Sequence, residues 1–416
     1  MPSVEPGIVM VARGTQAVAM RLPVDVALGR RVVADGKSFD VDDDRMSRDH
    51  ATVRFDKGAW VITDLASRNG TFVNGLRITG EVRRQGNTVL RLGHTICVLL
   101  ADASGHPADG DGTVGPEFAR AFAAVRHAGS QPALLLQGEA GADHELAARL
   151  YHDASPRRAG PLVTVACSSM PDGVAERLLF GAQKGVIQSI GHFQMAQGGT
   201  IVLDDIAALQ LAAQSRLLRL LERRQLEPLG VQVGIPIDVG VVATAHLELR
   251  LAVAERRFDD GLYRRLATTI VKLPPLRDRK VDVARIVQRE VVAMGSQLAA
   301  HARLVEACLV RPWPGNVREL IAAVRDAANR ALANDCDVVR PEDLDDSAGM
   351  TTGALGPATA VNRKPTVAAA LDKATIEVAL ARAKNVITVA ARALGVHRSE
   401  LYQLMDQHGI VFTDDT

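Results

Sequence analysis

Gly138-Glu139-Ala140-Gly141-Ala142-Asp143-His144-Glu145 follows the apolar run Ala133-Leu134-Leu135-Leu136 and precedes a helical pattern from Leu146 to His152. Strand, Gly-containing loop and helix in that order frame a phosphate-binding loop, G-x-x-x-x-G-K. Its backbone N–H groups cradle phosphates and its Lys reaches the β/γ-phosphates. Here Asp143 stands at the second Gly and His144 at the Lys. Asp143 would bring negative charge to phosphate oxygens, and His144 is mostly neutral at pH 7 and too short to replace Lys. The stretch predicts an α/β fold with a remnant nucleotide loop of Gly138, Gly141, Asp143, His144 and Glu145. The weight of function then shifts to the flanking domains.

Working outward, 416 residues suggest roughly three domains at ~150 residues each. Hydrophobic residues at 47% and charged residues at 23% describe an ordinary globular chain, while aromatics at 3% leave the cores to Ala, Val, Leu and Ile. The net charge of +1 means that any nucleic-acid contact must come from a local patch. Cys97, Cys167, Cys308 and Cys336 are scattered without a C-x-x-C pair, so reduced thiols and no metal site are expected. No apolar run reaches membrane-spanning length and the N-terminus lacks a signal-peptide pattern, which points to a cytoplasmic protein with no membrane partner.

Three blocks separate. Residues 1–105 hold short alternating strands, such as Ala51-Thr52-Val53-Arg54-Phe55 and Trp60-Val61-Ile62-Thr63, divided by turn clusters, as in an all-β sandwich. Residues 103–115 are rich in Gly, Asp, Ser and Pro and read as a linker. Residues 116–345 alternate apolar strands with helical patterns and end in a helical tail. Thr200-Ile201-Val202-Leu203 and Val239-Gly240-Val241-Val242 look like buried parallel strands. A second linker spans residues 346–365, and residues 366–413 form an all-α block of three short amphipathic helices.

The loops of the first block gather Gly29-Arg30, Ser47-Arg48-Asp49-His50 and Ser67-Arg68-Asn69-Gly70-Thr71. Phosphate needs charge-assisted donors, which Arg30 and Arg48 supply and Ser47 complements. These motifs, in this order, resemble a forkhead-associated (FHA) domain. The resemblance implies that Arg30, Ser47, Arg48 and Asn69 bind phosphothreonine of a partner in a Ser/Thr-kinase pathway, and that His50 braces the loop.

From Gln137 the central block resembles the AAA+ domain of bacterial enhancer-binding proteins, the activators of sigma-54 RNA polymerase. Matching stretches include Leu179-Phe180-Gly181, Gly198-Gly199-Thr200-Ile201-Val202-Leu203-Asp204-Asp205, Leu273-Pro274-Pro275-Leu276-Arg277-Asp278-Arg279 and Trp313-Pro314-Gly315-Asn316-Val317-Arg318-Glu319-Leu320. The family's GESGTGKE is GEAGADHE here, and its Walker B Asp-Glu is Asp204-Asp205. The Asn coupling that carboxylate to ligand is Ala166, and the sensor Asn is Ala245. Of two arginine fingers the first is Asp259 and the second Arg265, while Arg318 remains as the second sensor. The signature GAFTGA, which touches sigma-54, corresponds to Gly185-Val186-Ile187-Gln188-Ser189-Ile190. Phosphoryl transfer rests on positioning and charge, and one trans Arg can be worth ~10³-fold or more. The remnant catalytic set Asp204, Asp205, Arg265 and Arg318 therefore predicts an AAA+ scaffold with hydrolysis lost. No cofactor is firmly expected, although ATP with Mg²⁺ is the one the fold would take.

In the last block Thr388-Val389-Ala390-Ala391-Arg392-Ala393-Leu394-Gly395-Val396 gives a small-residue helix and a Gly turn. A second helix opens with His397-Arg398-Ser399-Glu400-Leu401-Tyr402-Gln403. This resembles the Fis-type helix-turn-helix that ends the same family, which implies that Arg398, Ser399, Tyr402 and Gln403 face DNA. A homo-oligomer, dimer or higher, would engage two half-sites together. The whole reads as a phosphothreonine-gated, DNA-binding transcriptional regulator. Two rivals stand beside it. One is a working ATP-driven activator of sigma-54 polymerase. The other is a phosphopeptide adaptor that joins and tunes active relatives.

Overall fold

The computed structural model describes residues 5–13, 16–22, 24–34, 37–103, 115–171, 173–184, 187–231, 233–246, 248–351 and 378. The chain divides into Met1–Thr351 and Thr352–Thr416. In the second unit only Val378, within a helix, is described, so the expected DNA-facing residues Arg398, Ser399, Tyr402 and Gln403 lie outside the described residues.

The first unit opens with β1 (Gly7–Arg13), β2 (Gln16–Leu22), β3 (Val26–Leu28), β4 (Arg31–Ala34), β5 (Lys37–Asp40) and β6 (Ala51–Asp56). It continues with β7 (Ala59–Asp64), β8 (Thr71–Val73), β9 (Leu76–Arg77), β10 (Glu81–Gln85), β11 (Thr88–Leu92) and β12 (Thr95–Leu100). A six-stranded sheet, β2-β1-β12-β11-β8-β9, packs on a four-stranded sheet, β10-β7-β6-β3, and β4 pairs β5 as a separate hairpin. Successive side chains of a strand point to opposite faces. In β12, Cys97 and Leu99 enter the sandwich core with Val53, Trp60 and Ile62, as the all-β expectation requires. Ile96, Val98 and Leu100 point the other way and are also buried.

The α/β block contains α1 (Pro116–Ala128), β13 (Ala133–Gln137), α2 (His144–Ala154), β14 (Leu162–Ala166), α3 (Ala175–Phe180), β15 (Ala182–Lys184) and β16 (Ile187–Ser189). Next come α4 (His192–Met195), β17 (Thr200–Asp204), α5 (Leu211–Arg223), β18 (Gln225–Leu226), β19 (Ile235–Pro236) and β20 (Gly240–Ala245). The block's sheet is completed after α6 (Leu249–Ala254) and α7 (Asp260–Leu266) by β21 (Ile270–Lys272). The order β14-β17-β20-β13-β21 is parallel at every pairing. In β13, Ala133 and Leu135 face one helical layer while Leu134 and Leu136 face the other, which is why the run reads as continuously apolar.

A helical lid follows: α8 (Val283–Met294), β22 (Ala299–Ala300), α9 (Ala302–Val310), α10 (Asn316–Ala333) and β23 (Val338–Val339). Its core of Val287, Leu304, Leu309, Leu320 and Val324 is continuous with Val9, Val11, Val89, Ile96, Val98 and Leu100 of the sandwich. The outer face of the six-stranded sheet is thus covered by the lid, with α8 and α9 against β1 and α9 against β11 and β12. Inside this seam Arg91 Nε donates to Glu306 Oε2 at 2.5 Å, with side chains 10% and 7% exposed. The Arg91 guanidinium also lies 3.8 Å from the centre of the Phe72 ring. Residues at the head of the expected second linker are tied to the lid as well. Trp313 N donates to Gly349 O at 3.0 Å, and Arg311 donates to Asp345 O and Ala348 O at 2.7 and 2.6 Å.

Candidate functional site

One end of the sandwich collects the expected phosphopeptide residues. Arg30 follows β3, Ser47 and Arg48 lie between β5 and β6, and Asn69 lies between β7 and β8. Arg30, Arg48 and Asn69 are exposed and Ser47 is half-buried. Arg30 N donates to Ser47 O at 3.0 Å, and any Cβ at Gly29 would strike the Arg48 carbonyl, so only Gly lets the two loops close. The buried His50 ring accepts from Ser47 N at Nδ1, 3.0 Å, and meets Gly70 O at Nε2, 3.2 Å. Since Nδ1 accepts, Nε2 carries the proton and donates. Burial lowers the His50 pKa despite that bond, which favours this neutral brace. Ser47 Oγ accepts from Arg68 N at 3.1 Å and keeps its own O–H to donate. Asn69 Nδ2 donates to Arg45 O at 2.6 Å, which leaves its amide oxygen for a peptide N–H. Arg45 and Arg68 are exposed beside these groups, two cations that sequence reading did not single out.

The second cluster surrounds the loop between β13 and α2. Gly141 adopts φ +76, and a Cβ there would strike Gly315 O and Arg318 Cβ of the lid. Glu139 accepts two bonds from Arg277, at 2.7 and 2.6 Å, and one from Asn316 Nδ2 at 3.2 Å. The Arg277 bonds lower its pKa. Asp143 sits at the N-cap of α2 without capping it. Its carboxylate instead accepts from Arg279 at 2.6 Å. Arg279 is 3% exposed, lies 4.0 Å from the centre of the Phe118 ring, and has Asp282 at 3.9 Å. Burial raises the Asp282 pKa to about 6, against the bond from Gly115 N and the charge of Arg279. The negative charge expected to face phosphate is therefore paired with a buried cation at the edge of the cleft.

His144 is buried, and desolvation together with His246 pushes its pKa down to about 4 while Asp204 pulls the other way. It supplies no cation at neutral pH. Glu145 is exposed, 3.8 Å from Arg149, in the first turn of α2. A cleft of about 300 Å³ is lined by Gly141, Asp143, His144, Glu145 and Arg318. This donor set, an acid paired to Arg279 and a neutral imidazole in place of Lys, does not fit a triphosphate with Mg²⁺.

The other catalytic positions follow the same pattern. Asp204 ends β17, and its Oδ1 accepts from Thr244 Oγ1 at 2.6 Å. The same Thr244 Oγ1 accepts from Asp205 N at 2.9 Å. Thr244, next to the Ala245 that the sequence singles out, thus ties the Asp204 carboxylate to the Asp205 backbone. Ala166 stands opposite Asp204 in the sheet and carries no amide. Arg265 is exposed on α7 and donates to Leu221 O of its own chain at 3.3 Å. Asp259 caps α7, accepting from Leu262 N at 2.8 Å, so the position of the first arginine finger serves local structure. Gly185 and Val186 lie outside the described residues, and the flanking β15 and β16 form a hairpin. Among the described residues no helix is long and apolar enough to cross a membrane.

Three families match the chain in order: the FHA domain over residues 26–93, the sigma-54 interaction domain over 116–272, and the Fis family of bacterial regulatory proteins over 368–408. The C4-dicarboxylate transport transcriptional regulatory protein DctD of Pseudomonas aeruginosa is 34% identical over 293 residues, 68% of this chain and 60% of that protein. The response regulator FleR of the same organism is 35% identical over 238 residues, 53% of this chain and 48% of its own. The Nif-specific regulatory protein of Rhodobacter capsulatus is 33% identical over 315 residues, 72% of this chain and 53% of its own. The chain therefore spans about half to three-fifths of the length of these relatives. Among solved structures, NtrX from Brucella abortus in complex with ADP has a TM-score of 0.54 at 24% identity, covering 71% of this chain and 68% of that one, a likeness of fold alone. The chain is a fusion of an FHA domain, a sigma-54 interaction domain of AAA+ fold and a C-terminal Fis-type helix-turn-helix.

Proposed function

We propose that this chain is a DNA-binding transcriptional regulator whose output is set by phosphothreonine recognition and not by ATP hydrolysis. The observation that carries the reading is the Asp143–Arg279 ion pair inside the phosphate loop, beside an uncharged His144 where hydrolysis needs Lys. Arg30, Ser47, Arg48 and Asn69 supply charge-assisted donors and an amide at one end of the sandwich, as phosphopeptide capture requires. The lid offers a route between the two ends. Its core is shared with the outer face of the FHA sheet, and the N-terminus of α10 clasps the phosphate loop through Asn316 and Arg318. A phosphopeptide that shifts the sandwich on the lid would therefore bias the whole first unit, provided that it binds two arrangements unequally.

The reading is tested by measuring DNA affinity of the full chain with a phosphothreonine peptide, its unphosphorylated form, or ATP. The expected result is a change with the phosphopeptide only. A change driven by ATP and indifferent to the phosphopeptide would overturn it. The second reading, an ATP-driven activator acting on sigma-54 polymerase, is favoured by Asp204 and Arg318, which keep family identity near the cleft. In that case ATP alone would alter oligomer size or DNA affinity.

A further inference from the structure

At one end of the seam the sandwich meets the lid through two histidines. His94 lies in the turn between β11 and β12, and His301 stands at the N-cap of α9. Their rings are 5.4 Å apart at 80°, an edge-on contact that places the turn against the cap. His301 Nδ1 accepts from Arg303 N at 3.1 Å, so that nitrogen carries no proton while the cap is closed. His301 N donates to Val339 O at 2.9 Å, which fixes the residue on the lid. Burial, then His94, Arg303, Arg340 and Arg91, lower the His301 pKa. The carboxylates nearby are engaged: Glu306 with Arg91, Glu342 with Arg303, Asp343 with Arg340 N, and Asp43 with His94 N and Thr95 Oγ1. An Asp44 carboxylate oxygen lies within 4.8 Å of a His94 ring nitrogen. The turn that carries His94 also supports the phosphopeptide loop. A Cβ at Gly93 would strike the Arg45 carbonyl and Met46 N. Asp43, held by His94 N at 2.8 Å, in turn accepts from Arg45 N at 3.0 Å.

We propose that His301 is a proton-sensitive clasp between the lid and the sandwich, closed while its ring is neutral and loosened when the ring takes up a proton. A proton on Nδ1 ends the bond from Arg303 N, because it sets a donor against a donor. It also places a cation at the positive end of α9 and in the field of Arg303, Arg340 and Arg91. The apolar seam of Val89, Ile96 and Leu304 remains, so the clasp governs the opening of this end of the seam and not the separation of the two layers. Loosening passes through Gly93 and Asp43 to the loop that carries Arg45, Ser47 and Arg48. Since the folded chain holds the His301 pKa below its ordinary 6.5, the clasp is fully closed above that pH and weakens as pH falls. The clasp goes beyond the regulatory reading and involves neither phosphopeptide nor nucleotide.

The test is amide hydrogen exchange of the full chain, each rate divided by its intrinsic value at the same pH so that only protection is compared. His144 also loses stability as pH falls, so protection is read relative to β13 in the α/β block. Relative protection at Arg303, His94 and Arg45, whose amides bond to His301 and Asp43, should fall severalfold between about pH 7.5 and about pH 5.5. In His301→Asn, which keeps a side-chain cap but takes no proton, it should stay level. Level protection in the wild type, or an equal fall in His301→Asn, would overturn the proposal. Should the variant fail to fold, exchange of the His301 C2 hydrogen, followed by mass spectrometry, titrates the ring in the unmodified chain. A midpoint below 6.5 supports the clasp, and a midpoint at or above 6.5 removes it. No readout involves phosphopeptide, nucleotide or DNA, so failure here leaves the regulatory reading standing.

Discussion

At the residue scale, chemistry is decided by single substitutions in a loop. The sequence exposes Asp143 and His144 as departures from the phosphate-loop pattern. It does not expose Arg279, 136 positions away, which takes the Asp143 charge. That pairing depends on the segment between β21 and α8 reaching the start of α2, a tertiary fact with no local signal. Asp143→Ala would leave Arg279, at 3% exposure, with Asp282 as its remaining ion-pair partner among the described residues. Losing one partner of a buried pair costs about 3–5 kcal/mol, and less here because Asp282 remains, so a drop of roughly 2–4 kcal/mol in unfolding free energy is expected by denaturant titration. His144 gives a pH test. Its folded pKa, about 4, lies below its ordinary value of 6.5. The unfolded chain then binds more protons between those values. Stability from the neutral form is full above about 6.5 and is lost as pH falls towards 4, on the order of 3 kcal/mol. In His144→Gln the dependence of unfolding free energy on pH across that window should flatten, and an unchanged slope would refute the assignment. At the other end of the unit, Arg48→Ala should remove most phosphothreonine-peptide affinity in isothermal titration, since charge-assisted bonds to phosphate are roughly twice as strong as neutral ones.

At the scale of elements, the strands were largely legible and their neighbours were not. Alternation in Ala51–Asp56 announces a strand with one buried face. The run Thr95–Leu100 is apolar at successive positions and is buried on both faces, one by the sandwich core and one by the lid. A continuous apolar run identifies a covered strand but not what covers it. The seam has its own test in Arg91 and Glu306. Glu306→Ala leaves a guanidinium 10% exposed without its carboxylate, and a loss of about 3–5 kcal/mol is expected. The double change Arg91→Met with Glu306→Leu should recover most of it, because apolar replacement of a whole buried pair is often neutral or stabilising. Equal losses in the single and double variants would mean that packing, and not the ion pair, dominates the seam. Asp259 illustrates the reverse limit: the sequence shows that no arginine stands there, and only the fold shows that the residue caps α7.

At the scale of the whole molecule, three motif families in one chain were legible from their order and spacing, because each is carried by short contiguous stretches. The docking of sandwich on lid was not, since it arises from side chains spread over several elements. The helix-turn-helix residues Arg398, Ser399, Tyr402 and Gln403 lie outside the described residues and rest on sequence alone. If they meet DNA, Arg398→Ala should weaken specific binding by about 1–3 kcal/mol in a salt-controlled titration, provided it reads a base edge. In the proposed function this AAA+ fold does not turn over nucleotide. The direct measurement is Mg²⁺-dependent ATP hydrolysis by the purified full chain beside Asp204→Ala. The expected result is a rate at background in both proteins, and hydrolysis in the wild type that Asp204→Ala abolishes would contradict it.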